Sequence, residues 1–138
     1  MIETHSPEET FRFGETLGRK AEPGQIYTLD GDLGAGKTVF SKGFAAGLGV
    51  SEVVSSPTFT ILQEYTSGRL PLWHFDVYRI GDPEEMEEIG YEDCFYGAGV
   101  CLVEWSELID ELIPEDAVRI RIERVPGEEQ DLRRIYVK

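Results

Sequence analysis

Long apolar runs are missing from this sequence, and so is a basic leader with an apolar core. No stretch approaches the length needed to cross a bilayer, and the N-terminal residues are acidic. The expectation is a cytoplasmic protein with no membrane partner. Cysteine is scarce: Cys94 and Cys101 lie in or near apolar segments without CxxC spacing, which argues against a metal knuckle or redox dithiol and leaves buried free thiols. Basic residues are few. Thirteen stand against 27 acidic ones, for a formal charge of −14, a field that repels nucleic acid and anionic membrane. RNA binding by this chain alone is therefore disfavoured. An internal repeat, a low-complexity tract, a long linker, an arginine-rich lid and a guanine-reading Asn-Lys-x-Asp segment are absent too. The length supports one domain, spanning 1–138.

Three of the 15 glycines fall within six residues. Gly31-Asp32-Leu33-Gly34-Ala35-Gly36-Lys37-Thr38 is a complete Walker A sequence. Its glycines allow successive backbone N–H groups to converge on a phosphate. Lys37 can reach the β- and γ-phosphates, Thr38 can offer its hydroxyl to Mg²⁺, and a helix starting there adds its positive dipole end. The strand-like run Gln25 to Leu29 precedes the loop and a helix-like run, Val39 to Leu48, follows it. The order predicts a nucleoside triphosphate site that depends on Mg²⁺, because an acidic protein must hold ATP by local geometry and a cation.

The remaining pattern alternates helices and strands. Ser6-Pro7-Glu8-Glu9 reads as a capped helix start running to about Lys20, with Phe13, Leu17 and Ala21 on a face expected to pack on a sheet. Phe59 to Tyr65 and Leu70 to Phe75, joined at Ser67-Gly68, predict a hairpin. Asp82-Pro83-Glu84-Glu85 begins a short helix with Met86 and Ile89 inward. Gly99 to Trp105 is a buried strand ending on Glu104, and Val118 to Val125 with Arg134 to Val137 forms a second hairpin. The fold class expected is α/β, with a mixed parallel and antiparallel sheet flanked by helices.

Several residues near these elements have the chemistry a phosphate site needs. Glu104, at the end of an apolar strand, is placed to be a second Mg²⁺ anchor. Trp105 suits either the nucleotide's side or an ordinary core position. His74, Asp76 and Tyr78 alternate with Phe75, Val77 and Arg79, so the first three share one side of an extended segment. Asp76 could orient water or hold the metal's hydration shell, or it could be a turn carboxylate. His74 could hydrogen-bond an acid, and Arg79 could supply charge to a transition state; for each, a structural hydrogen bond or ion pair is the more common role. Ser56, Pro57, Thr58 and Phe59 have the character of a phosphate-sensing switch or of a simple turn before the hairpin.

Together, the Walker A residues, Ser56-Pro57-Thr58-Phe59, His74-Phe75-Asp76-Val77-Tyr78-Arg79 and Val103-Glu104-Trp105 resemble the TsaE family, formerly YjeE, of tRNA threonylcarbamoyladenosine biosynthesis, over nearly the whole chain. The resemblance implies a P-loop ATPase with ATP and Mg²⁺ as ligands, coupled to a TsaB–TsaD complex in which TsaD modifies tRNA. The tRNA would be reached only through that complex. It further implies that Asp32, Leu33, Gly34, Ala35, Gly36, Lys37 and Thr38 bind ATP, that Thr38 and Glu104 hold the metal, and that Asp76 serves hydrolysis together with Lys37 and Glu104. Trp105 would lie beside the nucleotide, Ser56 to Phe59 would switch, and Thr10 would help seat the base. Ser106 stands where many relatives have proline, and Val39 where a second hydroxyl is common. A nucleotide-dependent binding switch with little turnover and a small-molecule kinase are the alternatives.

Overall fold

Alternating side chains on the central strands sort the apolar residues into two layers. Tyr27 and Leu29, Val100 and Leu102, and Leu72 fall in one buried cluster, whereas Ile26, Cys101, Val103 and Phe75 fall in the other. That period of two means a sheet covered on both faces. The computed structural model describes residues 1–32, 34–54 and 61–138. Its seven strands are β1 (Ile2–Thr4), β2 (Ile26–Asp30), β3 (Leu62–Tyr65), β4 (Leu72–Asp76), β5 (Val100–Glu104), β6 (Val118–Arg124) and β7 (Arg133–Val137), and they lie in the order β1-β7-β6-β2-β5-β4-β3. The four inner strands β6, β2, β5 and β4 are parallel; β1–β7, β6–β7 and β3–β4 are antiparallel. The mixed α/β sheet matches expectation. Both hairpins are present among the described residues, as β3–β4 and β6–β7, whereas Phe59 and Thr60, expected in the first arm, lie outside them.

The first helix, α1 (Pro7–Lys20), begins where the sequence places it. Ser6 Oγ accepts the Glu9 N–H at 3.2 Å, filling one of the open donors of the first turn. The return arm of the expected capping box differs, because Glu9 Oε1 accepts from the His5 N–H and not from that of Ser6. The packing of α1 also needs correction. Phe13 and Leu17 reach the core only partly, and the buried face is Thr10, Gly14 and Gly18. This face meets α2 (Lys37–Gly47), not the sheet directly: a methyl at Gly14 or Gly18 would strike the carbonyls of Phe40 or Phe44, and one at Gly43 or Gly47 those of Phe11 or Glu15. Two facing pairs of glycines, each four residues apart, bring the helix backbones together. α2 then covers β2 through Phe40 and Phe44, with the Tyr27 and Phe44 rings 4.8 Å apart.

The opposite layer is made of short pieces. α3 (Glu85–Glu88), α4 (Tyr91–Phe95) and a 3₁₀ segment, Ser106–Leu112, supply Met86, Phe95 and Ile109 to the second cluster. The expected start at Asp82-Pro83 is corrected: α3 begins two residues later, with Glu84 as its cap and no side-chain cap bond, because the Asp82 Oδ1 that accepts the Glu84 N–H at 2.9 Å closes a turn ahead of the helix. Cys94 and Cys101 are free and buried. Among the described residues no helix is long and apolar enough to cross a membrane.

Candidate functional site

Strands β2, β5 and β4 are parallel neighbours, so their C-terminal ends open on one edge of the sheet. Ligands of such sheets bind outside those ends. Asp30 ends β2, Glu104 ends β5 and Asp76 ends β4. Asp76 and Glu104 are register partners, which sets two carboxylates side by side.

Gly36 caps α2 at φ 102°, a left-handed conformation that L side chains resist. Among the described residues no side chain caps the helix, and its first turn holds no acid, so its open N–H groups and dipole are available to an anion. Lys37 opens the helix and Thr38, exposed, follows it. Ala35 is buried, its N–H donating to the Asp32 carbonyl at 3.1 Å, while Asp32 and Gly34 are exposed. Leu33 and the switch residues Ser56, Pro57, Thr58 and Phe59 lie outside the described residues.

Lys37 is 6% exposed. Its ammonium donates to the Gly31 carbonyl at 2.6 Å and sits 3.6 Å from the centroid of the Trp105 ring, a cation held by a carbonyl and an aromatic face. Burial lowers its pKa, with Glu104, Asp76, Asp30 and Glu107 opposing the shift. Trp105 itself has φ 61°, the one positive value outside glycine among the described residues. For an L residue that conformation costs roughly 1–2 kcal/mol, and surrounding contacts must hold it. Tyr78 is one of them, its ring centroid 4.7 Å from that of Trp105.

Glu104 is 3% exposed and its Oε2 lies 2.6 Å from His74 Nε2. The other ring nitrogen, His74 Nδ1, is buried and has no hydrogen-bond partner among the described residues. The Asp76 pKa is raised by burial, against donation from the Tyr78 N–H to Oδ1 at 3.0 Å; Glu104 raises it further. The alternation expected from His74 to Tyr78 stops at Asp76. The chain turns there on the Asp76 side chain, and the Tyr78 ring goes to Trp105 rather than beside His74. Arg79 is exposed, and no hydrogen bond or ion pair among the described residues joins it to Lys37 or Glu104. Thr10 is buried, with its hydroxyl 2.7 Å from that of Thr4, and it lines a crevice of about 50 Å³ with Gly36, Val39 and Arg133.

Two features escaped the sequence. Arg133 on β7 donates from Nε to the Ala35 carbonyl at 2.9 Å and from Nη2 to that of Gly34 at 3.4 Å, pinning the outside of the loop. Asp30 accepts from both donors of Ser106, N–H at 2.8 Å and Oγ–H at 2.6 Å. Neither pairing has a local signal, because each joins residues more than 70 positions apart.

Thr38, Glu104 and Asp76 offer hard oxygen donors, the type that suits Mg²⁺. Among the described residues no group of three His, Cys, Asp or Glu side chains forms a metal cage. These donors fit an ion whose remaining positions would be filled by phosphate oxygens and water.

Residues 4–135 match the family model for the threonylcarbamoyl adenosine biosynthesis protein TsaE. The chain is 50% identical over 129 residues to the tRNA threonylcarbamoyladenosine biosynthesis protein TsaE of Bacillus subtilis, covering 94% of this chain and 80% of that one. With the protein of the same description from Treponema pallidum it shares 46% over 119 residues, 86% and 87% of the two chains. The crystal structure of B. subtilis YdiB superposes with a TM-score of 0.84 at 46% identity, covering 99% of this chain and 82% of that one. The chain belongs to the TsaE family of tRNA threonylcarbamoyladenosine biosynthesis proteins.

Proposed function

We propose that this protein is a Mg²⁺-dependent ATPase that drives the cycle of a TsaB–TsaD complex during threonylcarbamoyladenosine modification of tRNA. The observation that carries the reading is the convergence of Lys37, Glu104 and Asp76 around an uncapped helix N-terminus, at the C-terminal ends of parallel strands. The loop from Asp32 to Thr38 holds the phosphates through backbone N–H groups, and Lys37 adds charge. Thr38 and Glu104 hold Mg²⁺, with Glu104 oriented by His74. When bound, the ion neutralises charge on the phosphate oxygens. Asp76 orients the attacking water, and Trp105 covers the nucleotide's phosphate side. Thr10 borders the base, and Ser56 to Phe59 form the switch.

The bonds from Lys37 to Gly31 and Trp105 support a low basal rate, since phosphates must compete for an ammonium that already has partners. Binding of TsaB–TsaD would then raise turnover by favouring the competent arrangement. The tRNA is reached through that complex, and a cytoplasmic location goes with the role. The same parked lysine is what favours the second reading, a nucleotide-dependent binding switch with negligible turnover. The test is Mg²⁺-dependent ATP hydrolysis by the chain alone and with TsaB–TsaD, with Lys37→Ala as the contamination control. Partner-stimulated, Lys37-dependent turnover supports the ATPase; ATP binding without turnover in either setting supports the switch.

A further inference from the structure

The 3₁₀ segment that follows Trp105 has no side-chain cap of its own. Its cap comes from another strand: the Asp30 carboxylate receives the Ser106 N–H on one oxygen and the Ser106 hydroxyl on the other. Ser106 is fully buried. Both bonds go to a charged acceptor, which makes them stronger than neutral pairs. Their position matters as much. Asp30 is the residue before Gly31, where the phosphate loop begins, and Ser106 is the residue after Trp105, whose backbone is left-handed. The pair therefore ties the start of the loop to the turn carrying both Glu104 and Trp105. A second consequence concerns charge. Asp30 is a carboxylate near Lys37 at a site meant for anions, and two donors from Ser106 occupy its oxygens.

We propose that Ser106 is a positioning residue: through Asp30 it locks the Trp105 turn against the phosphate loop, and so sets the Trp105 ring over Lys37 and the Glu104 carboxylate at the loop's edge. The catalytic part of this inference rests on the ATPase reading, whereas the positional part does not.

The experiment reads the two separately. In a Trp73→Phe background Trp105 is the sole tryptophan, and its ligand-free emission and acrylamide quenching report the ring's surroundings. Ser106→Pro is tolerated at a first helical position yet has neither donor; Ser106→Ala loses one, and Asp30→Ala removes the acceptor. Ser106→Thr keeps both donors. The expected result is a red-shifted, more readily quenched Trp105 in Ser106→Pro and Asp30→Ala, a smaller change in Ser106→Ala, and recovery in Ser106→Thr, at unchanged far-ultraviolet circular dichroism. The double variant Asp30→Ala, Ser106→Ala should be no worse than Asp30→Ala alone, since the two side chains act as one unit. With MgATP, the Mg²⁺ concentration for half-maximal hydrolysis should rise by about tenfold in Ser106→Pro, the scale of a lost charged hydrogen bond.

Unchanged emission and quenching in Ser106→Ala and Asp30→Ala would overturn the proposal, as would additive effects in the double variant. Should Ser106→Pro fail to fold, Ser106→Ala and Asp30→Ala still decide. Shifted emission in the variants, with a parent chain that hydrolyses no ATP either alone or with TsaB–TsaD, would uphold the positioning and sink the ATPase reading.

Discussion

The ammonium of Lys37 lies 3.6 Å from the centroid of the Trp105 ring, out of solvent, in the place from which a phosphate would draw it. Burial already depresses its pKa, so the charge is held at a cost to folding. Lys37→Met should therefore leave the melting temperature level or raised while weakening nucleotide binding tenfold or more, about 1.5–3 kcal/mol for a charged hydrogen-bonding group. Scanning calorimetry with ATP titration checks both. A variant that binds ATP normally would remove Lys37 from the site.

The buried His74–Glu104 pair makes the partners unequal on substitution. His74→Ala leaves the carboxylate without its donor, at a cost on the order of 1–3 kcal/mol. Glu104→Gln retains a group able to pair with the ring, so it should stay close to the parent in stability while losing Mg²⁺-dependent hydrolysis. Urea denaturation of the two variants checks this order, and equal losses would argue against it.

Burial raises the Asp76 pKa, and the sign has two consequences. Hydrolysis that needs the carboxylate should be lost on acidification at a higher pH than an ordinary aspartate, near 3.9, would give. In the window between the unfolded and folded values the folded chain binds more protons than the unfolded one, so this group favours folding less as pH rises through its folded pKa. Asp76→Asn should keep ATP binding, cut turnover by roughly 100-fold or more and flatten that acid limb. PH–rate profiles with and without the substitution check it.

Gly14→Ala and Gly43→Ala each place a methyl against the backbone of the facing helix. Alanine is the better helix former by about 1 kcal/mol, so a gain would follow if propensity ruled. Close packing rules here, and losses of about 1–3 kcal/mol are expected in chemical denaturation.

Burial raises the Cys94 and Cys101 pKa values. Both thiols should stay protonated at pH 8 and react with a thiol reagent only after unfolding. Because an unfolded thiol ionises near 8.5 while the folded one keeps its proton, their contribution to stability falls above that pH. Reagent kinetics in native buffer and in denaturant check the first point.

What could be read from the sequence was what is written locally. The Ser6 cap, the run ending at Glu104 and the glycines before Lys37 each stand within a few residues of their consequence, and the structure has all three. β1 is only three residues long and owes its conformation to β7, so no periodicity marks it. The Gly14/Gly18 and Gly43/Gly47 spacing was visible, yet its meaning depends on two helices meeting. Around the candidate site, the placement of Lys37 at a helix start and of Glu104 at a strand end was legible from type and position. The Trp105 backbone, the Arg133 bonds to the loop and the Asp30–Ser106 pair were not, because they arise only when distant strands become neighbours.

The strand that leads into the phosphate loop is an early part of the chain, yet it is flanked by β5 and β6, which are among the last parts. Neither edge of β2 can be satisfied until those later strands have been made, and contacts of such long sequence separation form slowly. During synthesis the segment from Gly31 to Thr38 therefore emerges well before it has a sheet to belong to. The loop's surroundings are complete only when the late strands have joined.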